Sequence, residues 1–245
     1  MRRSQSRVAL VTGGGRRLGK QICLALAREG FDVGVNYHES AAGARSVVET
    51  IKSYGRHSAP FKADVSKSSQ VDRMIQGVLD AFGRIDVLVN NAAVFIYSPA
   101  RQTTETNWDT TISINLKGVF LCSKGVIPQM LKQKRGRIIN IASLGGKQSW
   151  TEHMPYSVAK SGVIMLTQIM AKALAPNVMV NAIAPGTILI PGEESRSIKH
   201  ISPKNIPMKK YGAPSDITDM VVYLATRASY ITGQTFSIDG GRSIP

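Results

Sequence analysis

Apolar residues fall into two alternating patterns along the chain. Short continuous runs at Arg7–Thr12, Phe31–Asn36, Ser58–Ala63, Ile85–Asn90, Gly136–Ile141, Val178–Ile183 and Thr235–Ile238 read as strands buried on both faces. Between them, apolar positions recur with helical spacing: Leu18–Glu29, Ala41–Tyr54 (closed by Gly55), Ser69–Phe82 (closed by Gly83), Tyr156–Ala175 and Ser215–Thr226. Thr104–Gln133 reads as one or two long helices with a kink at Pro128. Strand and helix alternate from end to end with short connections. That order predicts one α/β domain over residues 1–245, a doubly wound parallel sheet with helices on both faces. Only Ile188–Pro214 lacks a clear period. It is rich in Pro, Gly, Ser and Lys, and is expected to form a lid over a substrate.

Composition narrows the class. Hydrophobic residues at 43% and charged residues at 19% of 245 belong to a globular chain, long enough to bury a core without staples. Two distant cysteines, Cys23 and Cys122, define no disulfide framework, and no Cys/His cluster has zinc spacing, so no metal is expected. No apolar run reaches the length of a signal peptide or a membrane span, which makes a cytoplasmic protein without a membrane partner the expectation. Charge is the unusual feature: 31 basic against 16 acidic residues give +15. The cations are dispersed, and no basic motif is interleaved with aromatics. Nucleic acid is therefore not the expected partner, and a diffuse positive field suits phosphorylated cofactors or anionic substrates.

The first strand runs directly into Thr12-Gly13-Gly14-Gly15-Arg16-Arg17-Leu18-Gly19 and then a helix. Glycines there permit a tight turn and close approach to a pyrophosphate, which the N–H groups of the helix start would face. This is the phosphate turn of a Rossmann fold. A chain selecting NAD usually carries an acid about 20 residues on, at the end of the second strand. Here that strand ends Asn36-Tyr37-His38-Glu39-Ser40, with no acid at its terminus. Arg16, Arg17 and Ser40 would welcome a 2′-phosphate, so NADP(H) is the expected cofactor.

Tyr156-Ser-Val-Ala-Lys160 puts a phenol and an ammonium four residues apart on one helix face. A neighbouring cation is expected to lower the phenol's pKa toward neutrality, so that it exchanges protons at physiological pH. Ser143, thirteen residues upstream, can hydrogen-bond a substrate carbonyl, and Asn115 can anchor a water that relays protons to Lys160.

With these residues in place, the chain resembles the short-chain dehydrogenase/reductase family over essentially its whole length. The resemblance is carried by Thr12–Gly19, Ala63-Asp64-Val65, Asn90-Asn91-Ala92-Ala93, Asn115, Ser143, Tyr156 with Lys160, Pro185-Gly186-Thr187-Ile188 and Ile238-Asp239-Gly240-Gly241. It implies that Asp64 and Val65 hold the adenine, Asn90 and Ala92 the adenosine ribose side, and Pro185, Gly186 and Ile188 the nicotinamide end. Lys160 would bond the nicotinamide ribose, and Tyr156 would give the substrate its proton as hydride arrives. It also implies a homotetramer paired through the helices before Gln133 and after Tyr156.

Two positions depart from the family pattern: Arg17 and Ala93 stand where glycine is usual. Arg17, Tyr37-His38-x-Ser40, Phe95, Leu174-Ala-Pro-Asn177, Ala184-Pro-Gly-Thr-Ile-Leu189 and Gly240-Gly-Arg-Ser resemble the pteridine reductase branch. That likeness implies reduction of a dihydropterin or dihydrofolate-like ring, with Arg17, Phe95, Ser143 and Tyr156 as substrate contacts and Phe95 stacking on the ring. Pteridine reductases often carry Asp where this chain has Ser143. The alternative is a 3-oxoacyl-carrier-protein reductase or general ketoreductase acting on an acyl thioester. For that reading Lys132, Lys134, Arg135 and Arg137 would dock an acidic acyl carrier protein.

Overall fold

The computed structural model describes residues 6–190 and 201–244. Seven parallel strands form one sheet: β1 (Val8–Val11), β2 (Asp32–Tyr37), β3 (Ser58–Lys62), β4 (Val87–Asn90), β5 (Gly136–Ile141), β6 (Val178–Pro185) and β7 (Thr235–Ile238). Their order is β3-β2-β1-β4-β5-β6-β7, so the winding reverses between β1 and β4 and opens a crevice at the carboxyl ends of those strands. Helices α1 (Arg17–Arg28), α2 (Ala41–Ser53) and α7 (Pro214–Thr226) cover one face; α3 (Ser68–Phe82), α5 (Gly118–Lys132) and α6 (Met154–Leu174) cover the other. Because side chains alternate along a strand, Ala9 and Val11 of β1 enter the first core while Val8 and Leu10 enter the second. This is the doubly wound α/β sheet expected from the pattern of apolar runs.

Local chemistry sets the ends of the elements. Gly83 stops α3 at φ 77, a left-handed setting that costs glycine nothing. Pro214 opens α7, and the Asp216 carboxylate accepts the Ala213 N–H at 2.7 Å to cap it.

Two expectations are corrected. The 104–133 stretch is α4 (Glu105–Ile112), a π-helical turn at Ser113–Lys117, and α5; Pro128 lies inside α5, so the irregularity falls at the π turn instead. Arg137 is not a surface cation. It is buried in β5, where its Nη1 donates to the Leu224 carbonyl at 2.6 Å and to the Ala228 carbonyl, closing the carboxyl end of α7. Burial, with Arg135 and Arg7 adding like charge, lowers its pKa. Lys132, Lys134 and Arg135 remain exposed, at the amino end of β5 and away from the crevice. Residues 191–200 of the expected lid lie outside the described residues; flanking them, Ile188 bridges to Gly212 and Pro203–Asn205 forms a short helical turn.

Candidate active site

The turn between β1 and α1 is compressed from several sides. Gly13 is left-handed at φ 62, and a Cβ on Gly19 would collide with the Gly13 carbonyl oxygen. A Cβ on Gly15 would sit 3.0 Å from the Ala44 nitrogen, because α2 packs directly on the turn. Asn91 fixes this shape: its Nδ2 donates to the Thr12 carbonyl at 2.9 Å and to the Gly13 carbonyl at 3.2 Å. Thr12 Oγ1 accepts the Asn91 and Ala92 N–H groups at 2.9 and 3.0 Å, tying the end of β4 to the end of β1. The first turn of α1 holds no acid, and Arg16 and Arg17 are exposed beside it. A glycine-lined, acid-free helix start fits a phosphorylated nucleotide.

Asn36, at the end of β2, is buried and joins three elements. Its Oδ1 accepts from Gly13 N at 3.1 Å, and its Nδ2 donates to the Phe61 and Ala63 carbonyls at 3.2 and 3.1 Å. Beyond it Tyr37 and Ser40 are half-buried, and His38 and Glu39 face solvent. Asp64 follows β3. Burial pushes its carboxyl upward, but hydrogen bonds from the Ser66 hydroxyl and N–H, with positive charge from His38 and Lys67, outweigh this and hold its pKa below the usual value. Val65 is buried against Gly118 at the start of α5.

The Asn90 side chain turns inward. Its Nδ2 donates inward, to Ser123 at 3.0 Å and to Asn140 Oδ1 at 2.8 Å, and Asn140 in turn donates to Thr167 at 2.9 Å. This buried polar chain clamps β4 and β5 between α5 and α6. Its amide donors are spent there, while its Oδ1 is buried without a hydrogen-bond partner among the described residues. Ala93 is exposed, and its backbone is not among the left-handed residues, which explains why a side chain is tolerated.

Ser143, Tyr156 and Lys160 meet at the carboxyl end of β5. Ser143 starts a short turn, Leu144–Gly146, and its Oγ accepts the Gly145 N–H at 3.0 Å. Gly146 presses on α6 so closely that a Cβ would lie 2.7 Å from the Lys160 carbonyl carbon, which locks Ser143 beside Tyr156 and Lys160. Lys160 is 2% exposed, and its Nζ donates to the Ile141 carbonyl at 2.7 Å. Burial lowers its pKa to about 8. The phenol differs from expectation. Burial raises the Tyr156 pKa, and a hydrogen bond from Ser143 only partly offsets it. Lys160 Nζ stands 5.8 Å from the Tyr156 ring centre and is held by Ile141, so its charge does not prevail. Asn115, in the π turn, is fully buried with both amide atoms bonded to the Val94 main chain at 2.8 Å. Its side chain pins the loop after β4.

An aromatic wall surrounds Tyr156. Phe95 stacks on His153 with centroids 3.8 Å apart and meets Tyr156 edge-on at 4.7 Å. Trp150 lies parallel to Tyr156 at 6.2 Å. His153 is anchored through Nδ1 to the Ile96 carbonyl at 2.8 Å. Opposite, Pro185-Gly186 turns against β7, where a Cβ on Gly186 would sit 2.8 Å from Asp239 Cα, and Ile188 packs partly against the core. The fold thus gathers Gly13, Arg16, Arg17, Leu18 and Gly19, the ends of β2, β3 and β4, Ser143, Tyr156, Lys160 and the Pro185–Ile188 loop along one edge of the sheet. Sequence reasoning assigned no role to Asn36, Asn91, Trp150, His153 or Arg242. Trp150 and His153 lie six and three residues before Tyr156, and that proximity was the available signal.

Comparison with known proteins agrees with this geometry. Residues 7–199 match the family described as short chain dehydrogenase. The chain is 44% identical over 239 residues to a 3-oxoacyl-[acyl-carrier-protein] reductase of Synechocystis sp., covering 96% of each. It is 42% identical over 237 residues to the Staphylococcus aureus protein of the same name, covering 95% of this chain and 96% of that protein. Among solved structures, acetoin dehydrogenase from Enterobacter cloacae superposes with a TM-score of 0.89 at 34% identity, covering 97% of this chain and 96% of that one. Fold, site geometry and relatives agree: the chain belongs to the short-chain dehydrogenase/reductase family of oxidoreductases.

Proposed function

We propose that the chain is an NADPH-dependent reductase of 3-oxoacyl thioesters. The observation that carries this reading is the junction of Ser143, Tyr156 and Lys160 beside the glycine turn, in a chain whose relatives of equal length bear the 3-oxoacyl-[acyl-carrier-protein] reductase name. When bound, the cofactor supplies hydride. Gly13, Leu18 and Gly19 would hold its diphosphate, and Arg16, Arg17, Tyr37, His38 and Ser40 its 2′-phosphate end. Asp64 and Val65 would meet the adenine, the main chain through Ala92 the ribose, and Pro185, Gly186 and Ile188 the nicotinamide.

The chain's own groups handle the proton. A raised pKa keeps Tyr156 protonated at neutral pH, ready to donate to a developing alkoxide. Ser143 donates a hydrogen bond to the same oxygen and orients the carbonyl. Lys160, held on the Ile141 carbonyl, would bond the nicotinamide ribose, and the phenolate left behind regains its proton from water. The Asn115 side chain is committed to Val94, so any water relay runs along the main chain of the π turn. The chain works as a single domain, and α5 and α6 pair copies into a homotetramer; Lys132, Lys134 and Arg135 stand at the amino end of β5, opposite the crevice, so an acyl carrier protein presenting its thioester docks elsewhere.

The pterin reading gives way to this one. It relied on Phe95 stacking on a flat ring, yet one face of Phe95 is already taken by His153. Ser143 and the relatives' names both favour a ketone. The test offers acetoacetyl thioester and dihydropterin separately to the purified protein and follows NADPH oxidation. Turnover of the thioester in preference is expected, and Tyr156→Phe should abolish it with NADPH affinity retained. Turnover of dihydropterin alone would restore the pterin assignment.

A further inference from the structure

The carboxyl-terminal tail enters the site. After β7 the chain turns at Gly240 and Gly241, both left-handed at φ 66 and 87, and the Asp239 carboxylate accepts the Gly241 and Ser243 N–H groups at 2.9 Å each. Gly241 is pressed against Pro207, 3.1 Å from where a Cβ would stand. This hairpin sends Arg242 back across the mouth of the crevice. Its Nη1 donates to Thr187 Oγ1 at 3.2 Å, one residue before Ile188. Its guanidinium carbon lies 5.8 Å from the Trp150 ring centre, over its face. Trp150 in turn runs parallel to Tyr156. A clasp holds the arrangement: Gln148 Nε2 donates to the Arg242 carbonyl at 3.2 Å, and the Trp150 indole N–H donates to Gln148 Oε1 at 3.3 Å.

Arg242 therefore meets Trp150 on one side of the crevice and Thr187 of the Pro185–Ile188 loop on the other. A guanidinium carries five N–H donors, and Arg242 spends one on a side chain here. Among the described residues no carboxylate forms an ion pair with Arg242. A half-buried cation with unspent donors, held on the Trp150 ring that itself runs parallel to the proton donor Tyr156, is placed to receive an oxygen acceptor.

We propose that Arg242 recognises the acyl oxygen of a 3-oxoacyl substrate, the second oxygen beyond the ketone that Tyr156 protonates. This rests on the ketoreductase reading and names its selectivity: compounds with an acceptor at the acyl carbon, either a thioester carbonyl or a carboxylate, over simple ketones.

The test compares acetoacetyl-N-acetylcysteamine, acetoacetate and methyl propyl ketone as substrates of the wild type, Arg242→Met and Arg242→Lys. NADPH affinity by fluorescence serves as the check on folding and on the cofactor site. For Arg242→Met, the ratio of kcat/KM for the acyl substrate to that for methyl propyl ketone should fall at least about tenfold, mainly through KM. A larger fall with acetoacetate, partly rescued by lysine, identifies a carboxylate as the group read; a larger fall with the thioester identifies its carbonyl. Equal losses on all three substrates would make Arg242 a strut, and no loss would remove it from the site; either overturns the proposal. A wild type that reduces methyl propyl ketone but neither acyl substrate overturns the 3-oxoacyl thioester reading as well. A wild type that reduces the thioester with an unmoved ratio overturns this inference alone.

Discussion

Arg17 opens α1 at φ 49, a left-handed setting that costs a residue with a Cβ roughly 1–2 kcal/mol. That explains why glycine is usual there, and why an arginine in its place points to function. Arg17→Gly should relieve the backbone and leave the melting temperature equal or higher, yet weaken NADPH binding more than NADH binding. Differential scanning fluorimetry with titration of both cofactors would decide it, and equal losses of both affinities would remove Arg17 from the 2′-phosphate. Lys160 stores a second strain. Its folded pKa of about 8 lies below the usual 10.5 because burial disfavours its charge. Below pH 8 the native state carries the full cost of a buried ammonium. As pH rises above 8 the native lysine loses its proton before the unfolded one does, so the unfolded state binds more protons and stability climbs. Within pH 8 to 9 the unfolded Cys23 and Cys122 thiols also begin to ionise while the buried native thiols stay protonated, which acts in the opposite direction, and the Tyr156 phenol adds to this at higher pH. The Lys160 contribution is therefore read as the difference in melting temperature between wild type and Lys160→Met from pH 8 to pH 9, which should move toward the wild type. Lys160→Met should melt higher at pH 7 while losing turnover. A difference that stays the same from pH 8 to pH 9 would contradict the assignment.

At the scale of elements, the parts legible in the sequence were those set by local period. Strands buried on both faces leave continuous apolar runs, and β1 through β7 appear within a few residues of the predicted ends. Tyr156 and Lys160 were legible because four residues of helix place them together. What escaped depends on partners far along the chain. Arg137 caps α7 through Leu224, 87 residues away, and no local pattern distinguishes such a cap from a surface cation. Asn36 joins the glycine turn to β3 across separations of 23 to 27 residues. Arg242 reaches Thr187 across 55. The π turn at Ser113–Lys117 was invisible for a different reason. Its side chains keep a helical period, and the extra residue per turn appears only when the Asn115 amide is drawn onto the Val94 main chain. Pro128 looked like the break, but at the eleventh residue of α5 it is accommodated without ending the helix.

For the whole molecule, the tension lies between its charge and its exposed apolar stripes. On α6, Val158, Met165 and Ile169 are 45, 56 and 57% exposed, and their spacing keeps them on one face. On α5, Phe120 and Leu131 are also exposed, at 41 and 40%. Large apolar side chains grouped on neighbouring helices are the signature of a buried contact rather than of a solvated face. Each copy also carries +15, which opposes association at low ionic strength. If α5 and α6 pair copies, burial of these stripes must outweigh that repulsion, and the balance has a sign that can be measured. Added salt screens the repulsion within about 10 Å at 0.1 M and strengthens burial, so assembly should tighten as salt rises. An interface held by ion pairs would loosen instead. Sedimentation across a salt series should show the larger species gaining at the expense of the smaller. Met165→Glu with Ile169→Lys, which leaves net charge unchanged, should shift the protein to a smaller species at every salt concentration. A mass unchanged by the double substitution would move the contact elsewhere and leave the stripes on α5 and α6 without a partner.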